Sequence, residues 1–251
     1  MGQLIYGTFW GNYGDEKATS TSEVLGIPLG TRMVLPDSRV FRYSFANGAI
    51  GAGQTCQPST GVGDHDMDLV TTAASVGDKS ITLTLGGTAA TKDQYKDGYV
   101  YVNDGAGEGH VYKVRGHAAI SSGGTGAINL YDGDAVAEAI TAASLTGLMV
   151  NEYTDVAVFD AGTVINPCIG VATTEVADNA YFWLQTWGPC AVLVDVISVL
   201  GEPVKVSDNA DGATEALNRD ATDEDDQVIG AAMLIPAIST DYGMILLQIS
   251  P

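Results

Sequence analysis

The sequence predicts an all-β protein made of small β-sandwich or barrel domains, with an extended arm at the N-terminus. Three observations support this fold class. Glycine contributes 31 of the 251 residues, well above its usual share, and it is accompanied by the other turn-forming residues. Short apolar runs recur at the spacing of roughly 8–12 residues that is typical of sandwiches and barrels. Lysine and arginine together number only 11, which leaves little material for solvent-facing helices.

Residues 1–35 are predicted to form the extended arm. Glycine interrupts the segment every few residues, and the aromatic residues Phe9, Trp10 and Tyr13 follow no periodic pattern. Aromatic side chains in a segment without a core of its own need another surface to cover them. A neighbouring domain or another subunit is the expected host for these side chains and for Leu29, and packing on the chain's own body is the open alternative.

Residues 36–67 and 153–251 are predicted to form one discontinuous β domain. In RVFRYSF, residues 39–45, the side chains alternate with period two, which is the pattern of a half-buried strand. Val40, Arg42 and Ser44 alternate with the aromatic residues Phe41, Tyr43 and Phe45. The Asn47-Gly48 pair follows as a turn. Seven further short strand candidates lie between Tyr153 and the end of the chain, separated by Gly, Pro, Asp or Asn.

Residues 68–152 are predicted to form a separate, barrel-like β module. GYVYVNDGAGEGHVYKVRGH is a β-hairpin in which Asp104-Gly105-Ala106-Gly107 supply the turn, because glycine tolerates positive φ. One exception to the strand pattern is AVAEAITAASL, residues 135–145. Its alanines and the spacing of Val136, Ile140 and Ala143 predict a short helix.

The segment AYFWLQTWGPCAVLVD, residues 180–195, is the most apolar strand candidate. Alternation places Trp183 and Trp187 on one face and Phe182 and Leu184 on the other, so both faces are apolar. Such a strand is either central in a domain or covered by a partner. Gly188-Pro189 is predicted to end it, with a second apolar strand returning. The acidic stretch 207–227 that follows is predicted to be a solvated surface loop.

The charge of the chain excludes two classes of partner. Thirty-one acidic and eleven basic residues give a formal net charge of −20. Nucleic-acid phosphates and anionic lipids repel such a polyanion, so we expect neither nucleic acid nor a membrane surface as a partner. No apolar run reaches the ~18 residues of a membrane span, and no basic segment precedes an apolar stretch at the N-terminus. We therefore expect neither a span nor a signal peptide.

Residues able to carry out chemistry are few. His65, His110 and His117 have no carboxylate or nucleophile at a fixed spacing, although a triad assembled in space stays open. The acidic residues around His65, and the runs 132–134 and 223–226, supply metal ligands without the spacing that would make them converge. A strand rather than a helix follows the glycines at 105–109, which argues against a phosphate site.

The expected outcome for chemistry is therefore negative. We predict no catalytic residue, no metal site and no cofactor. Cys56, Cys168 and Cys190 are odd in number and widely spaced, and they are predicted to be buried, reduced thiols.

The order of four segments resembles capsid decoration (cement) proteins of tailed bacteriophages. These segments are GTRMVLPDSRVFRYSFANGAIGAGQTCQ, GYVYVNDGAGEGHVYKVRGH, YFWLQTWGPCAVLVD and DDQVIGAAMLIPAISTDYGMILLQI. The resemblance covers most of the chain, but it depends on strand and turn patterns and includes no active-site motif. It implies a non-enzymatic virion protein on the outer surface of the capsid, made in the host cytoplasm. Its implied partners are the major capsid protein and other copies of itself in a homotrimer.

Under this interpretation the contacts fall on the arm and on the aromatic strand. Phe9, Trp10, Tyr13 and Leu29 are the expected partner-binding residues of the arm, while Trp183 and Trp187 serve either the core or an interface. A second hypothesis is a head-fibre, tail or adhesin component that recognises the host surface. The third is a hydrolase that uses His110 or His117.

Overall fold

The structure, a computed structural model, describes residues 3–5, 7–24, 26–162, 166–197, 199–217, 226–236, 238 and 240–251. Within these ranges the chain consists of strands and turns, with two single-turn 3-10 helices at Asp15–Lys17 and Gly63–His65. The prediction of an all-β fold is confirmed. No helix in these ranges has the length and apolar character required to cross a membrane.

Eighteen strands are assigned in the described part of the chain, numbered here in chain order. The first eleven are β1 (Gln3–Ile5), β2 (Thr8–Trp10), β3 (Arg32–Val34), β4 (Val40–Phe45), β5 (Thr55–Gln57), β6 (Leu69–Val70), β7 (Ser80–Thr84), β8 (Tyr99–Asp104), β9 (Val111–His117), β10 (Thr125–Leu130) and β11 (Leu145–Met149). The other seven are β12 (Ala157–Val158), β13 (Gly170–Ala172), β14 (Tyr181–Val196), β15 (Pro203–Val206), β16 (Thr214–Ala216), β17 (Gly230–Leu234) and β18 (Tyr242–Gln248).

The chain divides into two compact units. Unit 1 comprises residues 1–59 and 152–251, and unit 2 comprises residues 60–151. In unit 1, β5 and β12 are paired antiparallel, with Cys56 opposite Val158. The chain therefore leaves unit 1 and returns to it at two neighbouring strands. Strands β2 and β3, which lie within the predicted arm, pair with each other as part of the sheet of unit 1.

Unit 1 is built around the long strand β14. Along residues 181–187 β14 pairs with β4, and at Leu184 and Gln185 it also pairs with β13. Along residues 187–193 it pairs with β18, and its last residues pair parallel with β16. From β4 the sheet continues through β3 and β2 to β1, and from β13 it continues through β5 to β12.

The predicted end of this strand at Gly188-Pro189 is wrong, because β14 runs through both residues. The register against β4 shifts between Gln185 and Trp187, and Gly188 adopts a φ of +93°. A left-handed glycine beside a register shift bends a strand and increases its twist without ending it. The two apolar segments on either side of Gly188-Pro189 therefore form one bent strand instead of a hairpin.

The C-terminal half of β14 belongs to a closed barrel. The pairings run from β14 through β16, β15, β17 and β18 and back to β14, so these five strands have no open edge. Alternate side chains fill the interior, as expected for a small barrel. The buried apolar cluster formed by these strands and the segments packed against them consists of Phe159, Cys168, Val171, Cys190, Val192, Val194, Ile197, Val204, Val206, Ile229, Ala232, Ile245 and Leu247.

The N-terminal half of β14 separates two further buried clusters. Phe182 and Leu184 belong to one cluster, and Trp183 belongs to the other. Both faces of this part of the strand are therefore covered, as its composition indicates. The Trp183 cluster consists of Phe9, Met33, Leu35, Phe41, Tyr43 and Trp183.

Unit 2 is a six-stranded sheet in the order β6-β11-β8-β9-β10-β7. A bridge between Thr71, next to β6, and Leu83 of β7 brings the two ends of this order together, so the sheet closes as a barrel. The predicted hairpin is confirmed, since β8 and β9 pair antiparallel with Val100 opposite Tyr112.

A turn-and-strand arrangement recurs four times in unit 2. Ala74 bridges Ile140 and Ala90 bridges Ile120, and each of the four residues precedes a turn and then a strand. In three of the turns the residue after the bridge donates its backbone N–H to the side chain three positions further along the chain. These pairs are Ser75 and Asp78, Thr91 and Gln94, and Thr141 and Ser144.

The helix predicted over residues 135–145 is wrong, and the fourth copy of this arrangement explains why. Ile140 exchanges two backbone hydrogen bonds with Ala74. The Ser144 hydroxyl then accepts the N–H of Thr141 at 3.2 Å. Serine and threonine that bond nearby backbone groups favour a turn over a helix.

Candidate interaction surface

The N-terminal strand β2 places two adjacent aromatic residues in opposite environments. Phe9 is 8% exposed, and its ring stacks on Trp183 with 5.6 Å between the ring centroids and 21° between the planes. Trp10 is 53% exposed, because successive side chains of a strand point to opposite faces. Phe9 therefore anchors the strand to the core, and Trp10 is presented to solvent.

Tyr13 extends this exposed aromatic surface. It lies in the turn after β2 and is 65% exposed. The turn is held by a hydrogen bond from the Asn12 N–H to the Asp15 carboxylate at 2.9 Å and by one from the Gly14 N–H to Glu16 at 2.6 Å. Trp10 and Tyr13 together are called the N-terminal aromatic surface below.

The remaining predicted contact residues lie in or near the core. Trp183 is 6% exposed, and its ring lies 5.1 Å from that of Tyr43. Leu29 is half-buried against the same cluster, and Trp187 is half-buried in β14. The structure thus brings Phe9, Leu29 and Trp183 together in one cluster. Of the six predicted residues it leaves Trp10 and Tyr13 exposed.

The sheet of unit 1 ends next to this aromatic surface. Strand β1 is last in the strand order and pairs only with β2 among the described residues. An edge strand presents backbone N–H and C=O groups that a further strand can pair with. The N-terminal aromatic surface therefore lies beside a sheet edge that is open to a partner.

A second exposed apolar surface, at one end of the barrel of unit 1, escapes sequence reasoning. The Gly201 N–H bonds the Ala232 carbonyl of β17 at 2.8 Å, and the Thr240 N–H bonds the Val194 carbonyl of β14 at 2.7 Å. These bonds fix one residue after β14 and one before β18 at the same end of the barrel. We call this surface the apolar end. Its exposed residues are Val196, Val199, Leu200, Met233, Leu234, Ile238 and Tyr242. The only sequence signal is that apolar residues continue into the turns at Gly201 and Pro236.

Unit 2 carries an exposed aromatic residue on the outside of its barrel. Tyr99 of β8 is exposed, with the Lys113 Nζ 4.2 Å from its ring centroid and Met149 as its cross-strand neighbour. Tyr101 covers Gly147 and donates its hydroxyl hydrogen bond to the Asp66 carbonyl at 2.5 Å. Tyr99 and Lys113 therefore form an aromatic patch in which the positively charged ammonium group lies over the ring.

Part of the acidic stretch 207–227 is not the solvated loop that its composition predicts. Residues 214–216 form β16, and the fully buried Nζ of Lys205 lies 2.5 Å from Asp208, 3.1 Å from Glu215 and 2.7 Å from Asp226. Burial alone would lower the pKa of Lys205, but the hydrogen bonds that its ammonium group donates to these three carboxylates raise that pKa above 10.5. Asp223, also in the predicted loop, lies outside the described residues.

The histidines of unit 2 are used in its packing. The Nε2 of buried His117 accepts the Tyr95 N–H at 3.1 Å, so its Nδ1 is the nitrogen that donates to the Ala118 carbonyl at 2.7 Å. Buried His65 bonds the Tyr95 hydroxyl at 2.5 Å through Nδ1 and the Thr88 carbonyl at 2.9 Å through Nε2. Burial raises the pKa of Tyr95, which keeps its hydroxyl protonated. His110 bonds the Gly107 carbonyl.

The acidic residues around His65 do not form a group of metal ligands. Asp64 accepts a hydrogen bond from the Thr88 hydroxyl at 2.8 Å. In the described residues no three His, Cys, Asp or Glu side chains are grouped as metal ligands.

All three cysteines are buried free thiols, as predicted. Burial raises the pKa of Cys168 and of Cys190 to about 12, so their thiolates do not form near neutral pH.

These features define an all-β protein of two units, with exposed apolar surfaces on unit 1 and an aromatic patch on unit 2. No family model, curated protein or solved structure matches the chain.

Proposed function

We propose that this chain is a virion structural protein that decorates the outside of a tailed-phage capsid and cements neighbouring subunits of the major capsid protein. The observation that supports this most directly is the N-terminal aromatic surface beside an open sheet edge. Trp10 and Tyr13 are exposed, while Phe9 fixes the same strand to the core. Exposed tryptophan and tyrosine on a fixed support are the residues that dominate protein–protein binding energy.

The physical effect of such a protein follows from mass action. A ligand that binds the assembled shell and not the separated subunits stabilises the shell. The net charge of −20 keeps a protein made in many copies soluble and away from the packaged DNA. In this proposal the chain forms a homotrimer, and other copies of itself are its second partner.

The test uses point variants, because Phe9 packs in the core and deletion of the N-terminal segment would remove it. Phage heads assembled without this protein are mixed with the wild type or with the double variant Trp10→Ser, Tyr13→Ser. We expect at least a tenfold loss of affinity for the heads, since Trp and Tyr are enriched among the few interface residues whose truncation costs about 2 kcal/mol or more. Tyr99→Ser in unit 2 is the control and binds heads like the wild type.

Bound protein is measured by co-sedimentation, and circular dichroism verifies that each variant is folded. Undiminished decoration by the double variant would remove the N-terminal aromatic surface from the interface. Mass analysis of purified virions tests the wider proposal. Decoration requires hundreds of copies in each particle, and absence from the particle contradicts the proposal altogether.

A second candidate function is a head-fibre, tail or adhesin component that recognises the host surface. The observation that favours it is the patch of Tyr99 and Lys113, because sugar rings stack on exposed aromatic faces and the patch is positively charged. This function requires binding to whole host cells or their glycans that Tyr99→Ser abolishes and the double variant retains. The two surfaces therefore serve as controls for each other.

A further inference from the structure

Unit 1 contains a half-open pocket of about 410 Å³ beside the bend of β14. Its walls come from the first 3-10 helix, the turn between β3 and β4, the segment before β5, the segment after β13, and the strands β14 and β18. None of the residues predicted to bind partners lines it. The pocket is large enough for one amino-acid side chain together with its adjoining peptide groups.

Two polar side chains that line the pocket have an oxygen with no partner. Gln185 is 1% exposed, and its Nε2 donates to the carbonyls of Trp187 at 3.1 Å and Pro189 at 3.0 Å. Because these bonds fix the amide orientation, Oε1 points away from them, and it has no hydrogen-bond partner among the described residues. The Thr173 hydroxyl is likewise buried and unpartnered. Buried polar atoms are nearly always satisfied, so these oxygens require an N–H or O–H donor.

The charged groups of the pocket balance one another. Asp37 accepts a hydrogen bond from the Arg39 Nε at 2.8 Å, while the second acid, Glu16, lies 3.8 Å from the same guanidinium. Slight burial acts to raise the pKa of Asp37, but its hydrogen bonds with Arg39 outweigh this and lower it. Lys17 is exposed at the rim. Two acids and two bases favour a ligand that is neutral or zwitterionic.

The remaining wall is apolar. It is formed by Pro189 and Ala191 of β14 and by Tyr242 and Met244 of β18, where Ala191 lies directly opposite Met244. Tyr242 is also part of the apolar end, so the two surfaces are continuous. The small side chain of Ala191 leaves the space that an aliphatic side chain of a ligand would fill.

We propose that this pocket binds an aliphatic amino-acid unit whose backbone nitrogen donates a hydrogen bond to the Gln185 Oε1. The aliphatic side chain packs against Ala191 and Met244, and the ligand's own polar groups face Lys17 and Arg39. A residue within a partner's polypeptide and a free amino acid share this chemistry. The inference is independent of the proposed decoration function, because it uses no residue of the N-terminal aromatic surface.

The test is a titration of the 15N-labelled full chain, followed by NMR, with two probes at millimolar concentration. N-acetyl-leucine amide represents a residue within a polypeptide, and leucine represents the free amino acid. We expect at least one probe to shift the Gln185 side-chain amide and the Ala191 and Met244 backbone resonances saturably. Ala191→Phe fills the pocket and is expected to raise the dissociation constant more than tenfold. Ala127→Phe, on an exposed strand position of unit 2, is the matched control and leaves it unchanged.

The two probes distinguish the sources of the ligand. Tighter binding of N-acetyl-leucine amide identifies a polypeptide segment, and tighter binding of leucine identifies a free amino acid. The proposal is overturned if neither probe shifts these resonances, or if both bind Ala191→Phe as well as they bind the wild type. Head binding by Ala191→Phe is measured in parallel, so that failure of the pocket is not confused with failure of decoration.

Discussion

Lys205 is the residue on which the acidic part of unit 1 depends. Its ammonium group has no solvent exposure and lies within 3.1 Å of Asp208, Glu215 and Asp226. Removing an ammonium group from water costs several kcal/mol, and only close carboxylates and good hydrogen bonds offset that cost. In a chain of net charge −20 this lysine also neutralises three acids that would otherwise repel one another.

Lys205→Met is expected to lower the free energy of unfolding by about 1–3 kcal/mol at pH 7, because the nearly buried Glu215 loses its cation. Asp208 and Asp226 are 48% and 33% exposed, so water replaces part of what they lose. Chemical denaturation measures the change. Lys92→Met is the control and costs less than about 0.5 kcal/mol, since Lys92 is 78% exposed and lies 3.6 Å from Asp93. Equal effects of the two substitutions would show that the network contributes nothing.

The difference between wild type and Lys205→Met depends on pH in a defined direction. The folded pKa of Lys205 is raised above its unfolded value of 10.5. The stabilisation is therefore complete below pH 10.5, and it is lost as the pH rises through the higher folded value. A gap that narrowed on acidification from pH 10 to pH 7 would contradict this assignment.

At the level of elements, Gly188 determines the course of β14. A Cβ atom there would lie 3.0 Å from the Arg39 Cγ and 3.3 Å from its Cα, and the φ of +93° is unfavourable for any side chain. The bend allows β14 to pair with β4 along one half and with β18 along the other.

Gly188→Ala is expected to cost about 2–3 kcal/mol of unfolding free energy, since left-handed strain of about 1–2 kcal/mol is added to the crowding at Arg39. The matched control is Gly48→Ala, also in unit 1, with a φ of +96° and no atom within 4 Å of the added Cβ. Gly48→Ala is therefore expected to cost only the free energy of the left-handed backbone strain. If urea midpoints shift equally for both, the contact of Gly188 with Arg39 is soft and the bend tolerates a side chain.

The sequence predicts the strands well because their signal is local. Period-two alternation locates β4, and the glycines at 105–107 identify the hairpin between β8 and β9. Gly188-Pro189 is ambiguous, because the same dipeptide is compatible with a turn and with a bulge. Only the pairing of the two halves of β14 with other strands shows that this dipeptide bends the strand and does not end it. The helix expected at 135–145 fails because the bridge from Ile140 to Ala74 joins residues far apart in the sequence.

The candidate surfaces are less predictable than the strands. Phe9 and Trp10 are adjacent aromatic residues, and the sequence does not show which of them is buried. Only the position of β2 in the sheet determines this. The pocket next to Gln185 gives no local signal, because its lining residues come from six separate segments of the chain.

At the scale of the whole molecule, unit 2 has the features of an inserted domain. Its buried cluster, from Leu69 to Leu148, is contributed entirely by residues 60–151. The flanking strands β5 and β12 are paired with each other in unit 1. A closed six-stranded barrel with its own core satisfies the requirements for independent folding.

A fragment of residues 60–151 is therefore expected to fold alone and to melt in a single cooperative transition. Circular dichroism and calorimetry measure this. The same fragment carrying Ile81→Asp is the control and is expected to show no transition, because Ile81 is fully buried in the cluster. A wild-type fragment that stayed unfolded would mean that unit 2 depends on unit 1.

The shared strand β14 has a consequence for how unit 1 responds to heat. Trp183, Leu184 and Val192 lie in three different buried clusters, yet they belong to one continuous strand. Detaching that strand from any one cluster disturbs the other two, so no half of unit 1 melts before the rest. This all-or-none behaviour limits half-melted intermediates, whose exposed apolar side chains would lead to aggregation.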